Sequence, residues 1–274
     1  MDKYAVIGNP VAHSKSPQIH EAFACATGQA LTYERLLAPL DGFLESVEAF
    51  ARSGGMGLNV TVPFKLEAFA LAVEHSPRAK LSRAVNTLKR VGDEWFGDNT
   101  DGPGVVRDLT QNLRIELAAR HILVLGAGGA SRGIMNSLLA EHPRSLTVSN
   151  RTFARAATIA ELFAPYGPIT AVPPDALAGR SFDIVINATS AGLADRSPPP
   201  WPATIVANGA FAYDMIYADS PTAFRLWAKA HGAARTADGL GMLIEQAAES
   251  FFLWRGVRPD TTPIFSLLRP LGSS

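Results

Sequence analysis

The apolar run His121-Ile122-Leu123-Val124-Leu125 leads directly into Gly126-Ala127-Gly128-Gly129-Ala130-Ser131. A strand, a glycine-rich turn and a helix in that order can hold the pyrophosphate of a dinucleotide. One glycine permits the tight turn, a second lets the backbone approach the phosphates, and the helix N-terminus offers free N–H groups. Glycines stand here at 126 and 128, and Ser131 takes the place of the third, where a small residue still allows close packing. Sites for NAD carry a carboxylate about 20 residues further on, to hold the ribose hydroxyls. This chain has Asn150, Arg151, Thr152 and Arg155 instead. Asn150 can bond a ribose hydroxyl without charge. Arg151 can pair with a 2′-phosphate through two parallel hydrogen bonds, with Thr152 and Arg155 helping. These residue types favour NADP over NAD.

Three further polar clusters lie nearer the N-terminus. In Ser14-Lys15-Ser16-Pro17, two hydroxyls at the mouth of a helix can hold a carboxylate. Ser16 also reads as an N-cap, with Pro17 at the first helical position. In Asn59-Val60-Thr61-Val62-Pro63-Phe64-Lys65, strand alternation puts Asn59 and Thr61 on one face. Lys65 then falls in the first turn of a helix, where the dipole disfavours a cation. A substrate or carboxylate facing it would account for that placement. The third cluster joins Ala84-Val85-Asn86-Thr87 to Gly97-Asp98-Asn99-Thr100-Asp101-Gly102, a segment whose Asp and Asn also suit simple turns.

The elements that must position these residues alternate between strand and helix patterns, which predicts an α/β fold with parallel sheet. Strands are expected over residues 3–8, 31–36 and 56–62. Helices are expected over 17–27, over 42–52 with Asp41 as cap, and over 63–74 after Pro63. Segments 86–90 and 94–96 flank Gly92-Asp93 as a hairpin. A second unit opens near Gly102 with a helix over 104–113. It continues with strands over 121–125, 145–149 and 182–186, a helix over 152–163, and a last strand over 212–216. Leu240, Leu243, Ile244, Ala247, Ala248 and Phe251 recur at helical spacing.

Composition narrows the function classes. Of 274 residues, 47% are apolar and 18% charged, enough for a real core. With 25 basic and 25 acidic side chains the formal net charge is zero, which gives no bulk attraction to nucleic acid or to an anionic membrane. Cys25 is the only cysteine, so no intrachain disulfide is possible, and it reads as core packing in an apolar helix. The first residues do not read as a signal peptide, and no apolar run approaches the ~18 residues of a membrane span. The expectation is a cytoplasmic protein. The six histidines, at 13, 20, 75, 121, 142 and 231, lack ligand spacing, so no metal site is expected.

Taken together, the stretches VIGNPVAHSKSP, NVTVPFK, AVNT, GDNTDG, GAGGASRG, SNRT, INATSAG, YDMIY and ADGLGMLIEQAAE occur in order along nearly the whole chain. The chain closely resembles the shikimate dehydrogenases of the aromatic amino-acid pathway. The resemblance implies an α/β fold of two domains: a substrate domain from residues 1–101 plus 238–274, completed by the C-terminal helices, and a Rossmann-type NADP-binding domain over 102–237. It places the active site in a cleft between them. It implies that Ser14 and Ser16 hold the shikimate carboxylate with Tyr217. Asn59, Thr61, Asn86 and Gln246 would then bond ring hydroxyls or the carboxylate. Lys65 and Asp101 would be the catalytic pair, the lysine donating a proton to the ketone oxygen and Asp101 holding it and accepting from a ring hydroxyl. Gly126, Ala127, Gly128, Gly129, Ala130, Asn150, Arg151, Thr152 and Arg155 would contact NADP(H), with Met215 and Gly239 near the nicotinamide.

The sequence departs from the resemblance at one point. Many family members carry an acid at the position of Pro77, linked to the cofactor; the nearest candidate here is Glu74, and that contact is not carried over. Two other readings stand beside NADPH-dependent reduction of 3-dehydroshikimate. One is a quinate/shikimate dehydrogenase with relaxed cofactor use, which Ser14, Ser16 and Arg151 argue against. The other is a non-catalytic NADP-binding sensor, which would not need Lys65 and Asp101. A monomer and a homodimer fit the pattern alike.

Overall fold

A computed structural model describes residues 1–189 and 200–268. The chain divides into two compact units, Met1–Gly104 together with the chain from Leu243 onward, and Val105–Met242. The first opens with β1 (Asp2–Gly8), α1 (Ser16–Thr27), β2 (Leu31–Leu37), α2 (Phe43–Arg52), β3 (Gly55–Val60) and α3 (Lys65–Leu71). It continues through β4 (Glu74–His75), α4 (Pro77–Ser82), β5 (Thr87–Val91), β6 (Glu94–Asp98) and α5 (Asp101–Arg107). The second contains β7 (His121–Leu125), α6 (Gly129–Ala140), β8 (Ser145–Ser149), α7 (Phe153–Phe163), β9 (Ile169–Ala171), β10 (Phe182–Asn187), β11 (Val206–Asp214), α8 (Ala223–Ala230) and β12 (Arg235–Asp238). Helices α9 (Leu240–Arg255) and α10 (Thr262–Leu268) follow. The division between the units falls inside α5 and inside α9.

The first unit has a mixed sheet of order β2-β1-β3-β5-β6-β4, in which β5 runs antiparallel to both neighbours. Alternation along β1 and β3 sends Ala5, Ile7, Leu58 and Val60 to one face, where Phe43, Val47, Phe50 and Phe64 pack on them. On the other face the rings of α1 and α9 meet the sheet. Tyr4 stacks on Trp254 at 4.6 Å, His20 on Tyr33 at 4.3 Å, and Trp254 donates its indole N–H to the Leu88 carbonyl at 3.0 Å. The second unit has a wholly parallel sheet of order β12-β11-β10-β7-β8-β9. The chain builds outward from β7 to β9 on one side, then returns to β10 and builds outward on the other. The strand order therefore reverses between β7 and β10, the switch point where ligands enter such sheets.

Several sequence expectations need correction. Ser16 does not cap α1: Lys15 stands at the cap position, no side chain caps the helix, and Ser16 is its first residue. Nor does Asp41 cap α2, because a turn closed by the Gly42 N–H on the Pro39 carbonyl intervenes and Gly42 takes that position. The helix expected over 63–74 is shortened at both ends. Phe64 N–H bonds the Thr61 carbonyl in a turn, and beyond Leu71 the chain extends so that Val73 and Glu74–His75 can pair along β6. Sheet hydrogen bonds there outweigh helix propensity. The helix expected over 104–113 starts earlier, at Asp101, whose N–H is taken by the Asn99 side chain, and it finishes as a π-helical turn over Asp108–Asn112. The strand expected over 212–216 is β11, which ends at Asp214 and is not the last, since β12 lies outside it. Cys25 is exposed, because helical rotation carries it off the stripe of Ile19, His20 and Phe23 that faces the sheet. No helix among the described residues is long and apolar enough to cross a membrane.

His20 is wholly buried against Tyr33, Phe23, Phe251 and Trp254, and burial pushes its pKa down to about 3. The unfolded chain takes up a proton at this residue near the ordinary histidine value of about 6.5 and the folded chain does not, so stability falls as the pH drops below it. An NMR titration should leave the His20 ring in its neutral form from about pH 8 to about pH 5, through the range where an unperturbed imidazole becomes charged.

Candidate active site

The reactive side chains of the first unit converge because three backbone segments are stitched together at the end of β3. Val60 N–H donates to the Asn86 carbonyl at 2.7 Å, Asn86 N–H to the Asp98 carbonyl at 3.1 Å, and Val85 N–H to the Lys65 carbonyl at 2.9 Å. The second and third polar clusters thereby become neighbours although Asn59 and Asp101 stand 42 residues apart in the chain (101 − 59). Lys65 Nζ forms an ion pair with Asp101 Oδ2, the two side chains being 12% and 5% exposed. The pair explains a cation in the first turn of α3, since the carboxylate compensates what the helix dipole opposes.

Asn86 organises the surroundings of that pair. Its Nδ2 lies 2.9 Å from Asp101 Oδ1, 2.9 Å from Thr100 Oγ1 and 3.2 Å from Gln246 Oε1. Its Oδ1 accepts from the Thr100 N–H and from Thr87 Oγ1. Gln246 is anchored in turn by Nε2 on the Leu243 carbonyl. Asn59, buried in β3, donates to Ser250 Oγ at 2.9 Å and to Thr87 Oγ1 at 3.3 Å, and accepts from the Tyr33 hydroxyl at 2.7 Å. Burial raises the Tyr33 phenol well above its usual range, partly offset by a hydrogen bond with Ser16, so it remains a donor. Ser14 Oγ donates to Ser16 Oγ at 3.1 Å, and the Ser16 N–H donates back to Ser14 Oγ. Thr61 sits just past β3, half-buried, its N–H on the Ile7 carbonyl.

The loop that carries Asp101 is pinned from behind. Asp98 receives the Arg78 guanidinium on both oxygens, the Ser76 hydroxyl, and the Asn99 N–H. Burial opposes ionisation of Asp98, but these donors together hold its carboxyl below the usual range. Pro77 therefore has a structural reason: with Ser76 as N-cap it starts α4, which delivers Arg78 to Asp98.

In the second unit the candidate cofactor residues all lie at the carboxyl ends of parallel strands. Gly126 follows β7 with φ 107°, and a Cβ there would stand 2.9 Å from the Ala188 carbonyl oxygen. Gly128 has an ordinary φ of −92°, and a Cβ would meet no protein atom within 4 Å. The fold thus requires glycine at 126 but not at 128, where the free space lies over the N-terminus of α6, as a bound pyrophosphate needs. Gly129 and Ala130 open that helix, and Ser131, fully buried, fills the place of a third glycine. Beyond β8, half-buried Asn150 donates to the Thr152 carbonyl at 2.9 Å, and Arg151, Thr152 and Arg155 are all exposed. Among the described residues no carboxylate pairs with either arginine. Met215 follows β11 and Gly239 follows β12; a side chain at 239 would collide with the Met215 carbonyl. Tyr217 is half-buried, also in this unit. Of the stretch 186–192, residues 190–192 lie outside the described residues.

Sequence reasoning missed Tyr33 and Ser250 and gave no role to Thr87 and Thr100 within the third cluster; all four complete the polar network of the first unit. Ser250 carried a signal, since it stands four residues after Gln246 on α9 and so shares its face.

This geometry coincides with what comparison finds. Residues 6–88 match the family model described as shikimate dehydrogenase substrate binding domain, 108–194 that of shikimate / quinate 5-dehydrogenase, and 239–264 that of the shikimate 5′-dehydrogenase C-terminal domain. The chain is 56% identical to a shikimate dehydrogenase (NADP(+)) of Alkalilimnicola ehrlichii, over 98% of this chain and 99% of the relative. The chain belongs to the shikimate dehydrogenase family. Among solved structures, the shikimate 5-dehydrogenase of Thermus thermophilus in complex with NADP(H) and shikimate superposes with TM-score 0.85 at 37% identity, over 96% of each chain. An Ael1 enzyme from Pseudomonas putida reaches 0.90 at 45% identity, over 99% of this chain and 100% of that one.

The two glycines give a paired prediction. Gly128→Val should melt close to the wild type yet lose at least about tenfold in NADP⁺ affinity by calorimetry, because only the ligand would meet the new side chain. Gly126→Val should instead lower the melting temperature, because it forces a β-branched residue to positive φ against a carbonyl.

Proposed function

We propose that this chain catalyses the reversible reduction of 3-dehydroshikimate to shikimate with NADPH, a step of aromatic amino-acid biosynthesis. The observation that carries this reading is the largely buried Lys65–Asp101 pair, braced by Asn86 and Gln246, in the same unit as the Ser14–Ser16 hydroxyls. A ketone reduction needs a proton donor at the oxygen, and a substrate bearing a carboxylate needs donors at its other end.

In the direction of reduction, Lys65 Nζ–H points to the ketone oxygen as hydrogen-bond donor, polarises the carbonyl, and transfers a proton to that oxygen as the carbon becomes CH–OH. The hydride received by the carbon is what NADPH supplies when bound. Lys65 then regains its proton from solvent, and in the reverse direction its neutral amine accepts the hydroxyl proton. Asp101 uses Oδ2 to orient the lysine and keeps lone pairs for a ring hydroxyl. Asn59, Thr61, Asn86 and Gln246 supply amide and hydroxyl groups for the remaining ring oxygens, and Ser14 and Ser16 donate to the carboxylate. Gly126, Ala127, Gly128, Gly129 and Ala130 would hold the cofactor pyrophosphate, and Asn150, Arg151, Thr152 and Arg155 the phosphorylated ribose. The reading places the enzyme in the cytoplasm, a reducing compartment that suits the single exposed thiol of Cys25.

The direct test follows reduced nicotinamide by absorbance with shikimate and NADP⁺, with quinate and NAD⁺ in parallel. Turnover with shikimate and NADP⁺, and little with either replacement, is the expected result. Equal turnover with quinate or NAD⁺ would overturn the specificity, and tight NADPH binding with no turnover on any pair would favour a sensor. Lys65→Ala should lower kcat by about 10²–10⁴-fold with little change in the shikimate KM. A variant that loses affinity but keeps kcat would rule out lysine as proton donor.

A further inference from the structure

We propose that Arg35 is a positioning residue for the carboxylate end of the substrate, acting through Ser14; this rests on the function proposed above. Arg35 lies on β2, the edge strand of the first sheet, and its side chain is exposed to solvent. An exposed arginine at an edge usually spends its donors on water. This one places Nε at 2.9 Å and a terminal nitrogen at 2.6 Å from a single acceptor, the Ser14 carbonyl oxygen. A charge-assisted fork closed on one backbone oxygen fixes the peptide that follows it. That peptide leads through Lys15 to Ser16, and the Ser16 N–H and hydroxyl both face Ser14 Oγ.

The register shows why Arg35 stands where it can do this. Arg35 and Asn59 lie on either side of Val6 in one lateral row of the sheet, so they share a face. Tyr33, two residues earlier on β2, lies on that face too and gives its hydroxyl to Asn59. One strand thus supports both ends of the polar network: Tyr33 sets Asn59 from within the core, and Arg35 sets the serine pair from the rim. The cap residue of α1, Lys15, makes no side-chain cap bond; the Ser14 hydroxyl takes the Ser16 N–H instead, so fixing Ser14 also steadies the start of the helix. With its fork spent on the Ser14 carbonyl, Arg35 holds in place the peptide that carries the two neutral hydroxyls, which would turn to donate to a carboxylate. It also leaves a positive charge close by, which favours an anionic substrate.

The test is a double-mutant cycle on the full chain, measuring shikimate Kd by calorimetry alongside steady-state kinetics. Arg35→Met should raise both Kd and KM for shikimate by about tenfold, with kcat and the NADP⁺ KM within about twofold and the melting temperature unchanged. Arg35→Lys, which offers one donor where arginine offers two, should recover part of the loss. Added to Ser14→Ala, Arg35→Met should cost clearly less than its tenfold effect on the wild-type chain, because one of the two hydroxyls it positions is gone. An Arg35→Met chain with wild-type affinity overturns the proposal. So does a full tenfold effect on the Ser14→Ala background, which would make Arg35 a direct ligand. A wild-type chain that binds shikimate without oxidising it removes the activity alone and leaves the Arg35 effect to be read from Kd; one that does not bind shikimate overturns both.

Discussion

Taking an ammonium and a carboxylate out of water costs several kcal/mol per ion unless their remaining valences are met by protein. The Lys65–Asp101 pair imposes that condition on the first unit, and much of its construction answers it. Asp101 is held on its second oxygen by Asn86, on its N–H by Asn99, and through its loop by the Arg78–Asp98 pair. Asn86 in turn is held by Thr87, Thr100 and Gln246. The antiparallel β5 is what makes this possible, since it sets Thr87 opposite Asn59 and so lays Asn86 against the end of β3. A purely parallel sheet would have carried that residue to the far edge.

The second unit solves a different problem with less side-chain chemistry. A phosphate-bearing ligand needs open backbone N–H groups and fixed positive charge, and both are present at the carboxyl edge of a parallel sheet. The contrast between Gly126 and Gly128 separates two demands that a glycine-rich motif merges: one glycine serves the turn of the chain, the other leaves space for something that is not the chain. The exposed Arg151 and Arg155 complete this arrangement without a competing carboxylate among the described residues.

Strand and helix periodicity, together with glycine and proline positions, was enough to foresee most elements of both units, including β7 and β8 to the residue. Ser16, Asp41 and the ends of α3 were read from local propensity. Short turns displaced Asp41 and the start of α3, and pairing with the distant β6 ended α3. The short strands β4, β9 and β12 carried no apolar run, because only partners across the sheet make them strands. Cys25 failed for a simpler reason, a helix rotation that composition does not report.

What the sequence determined by itself was the chemistry available: a lysine, a carboxylate, paired serine hydroxyls, a pyrophosphate turn, and arginines in place of an acid after β8. Those follow from residue type and short spacing, which a chain displays before it folds. Tertiary structure alone decided which groups touch. Tyr33, Thr87, Thr100 and Ser250 entered the network, and Arg35 reached Ser14, because sheet register and the return of α9 brought them within hydrogen-bond distance. A buried polar group must find a partner somewhere, but the partner is whichever donor or acceptor the packed backbone places there, and no local pattern encodes that.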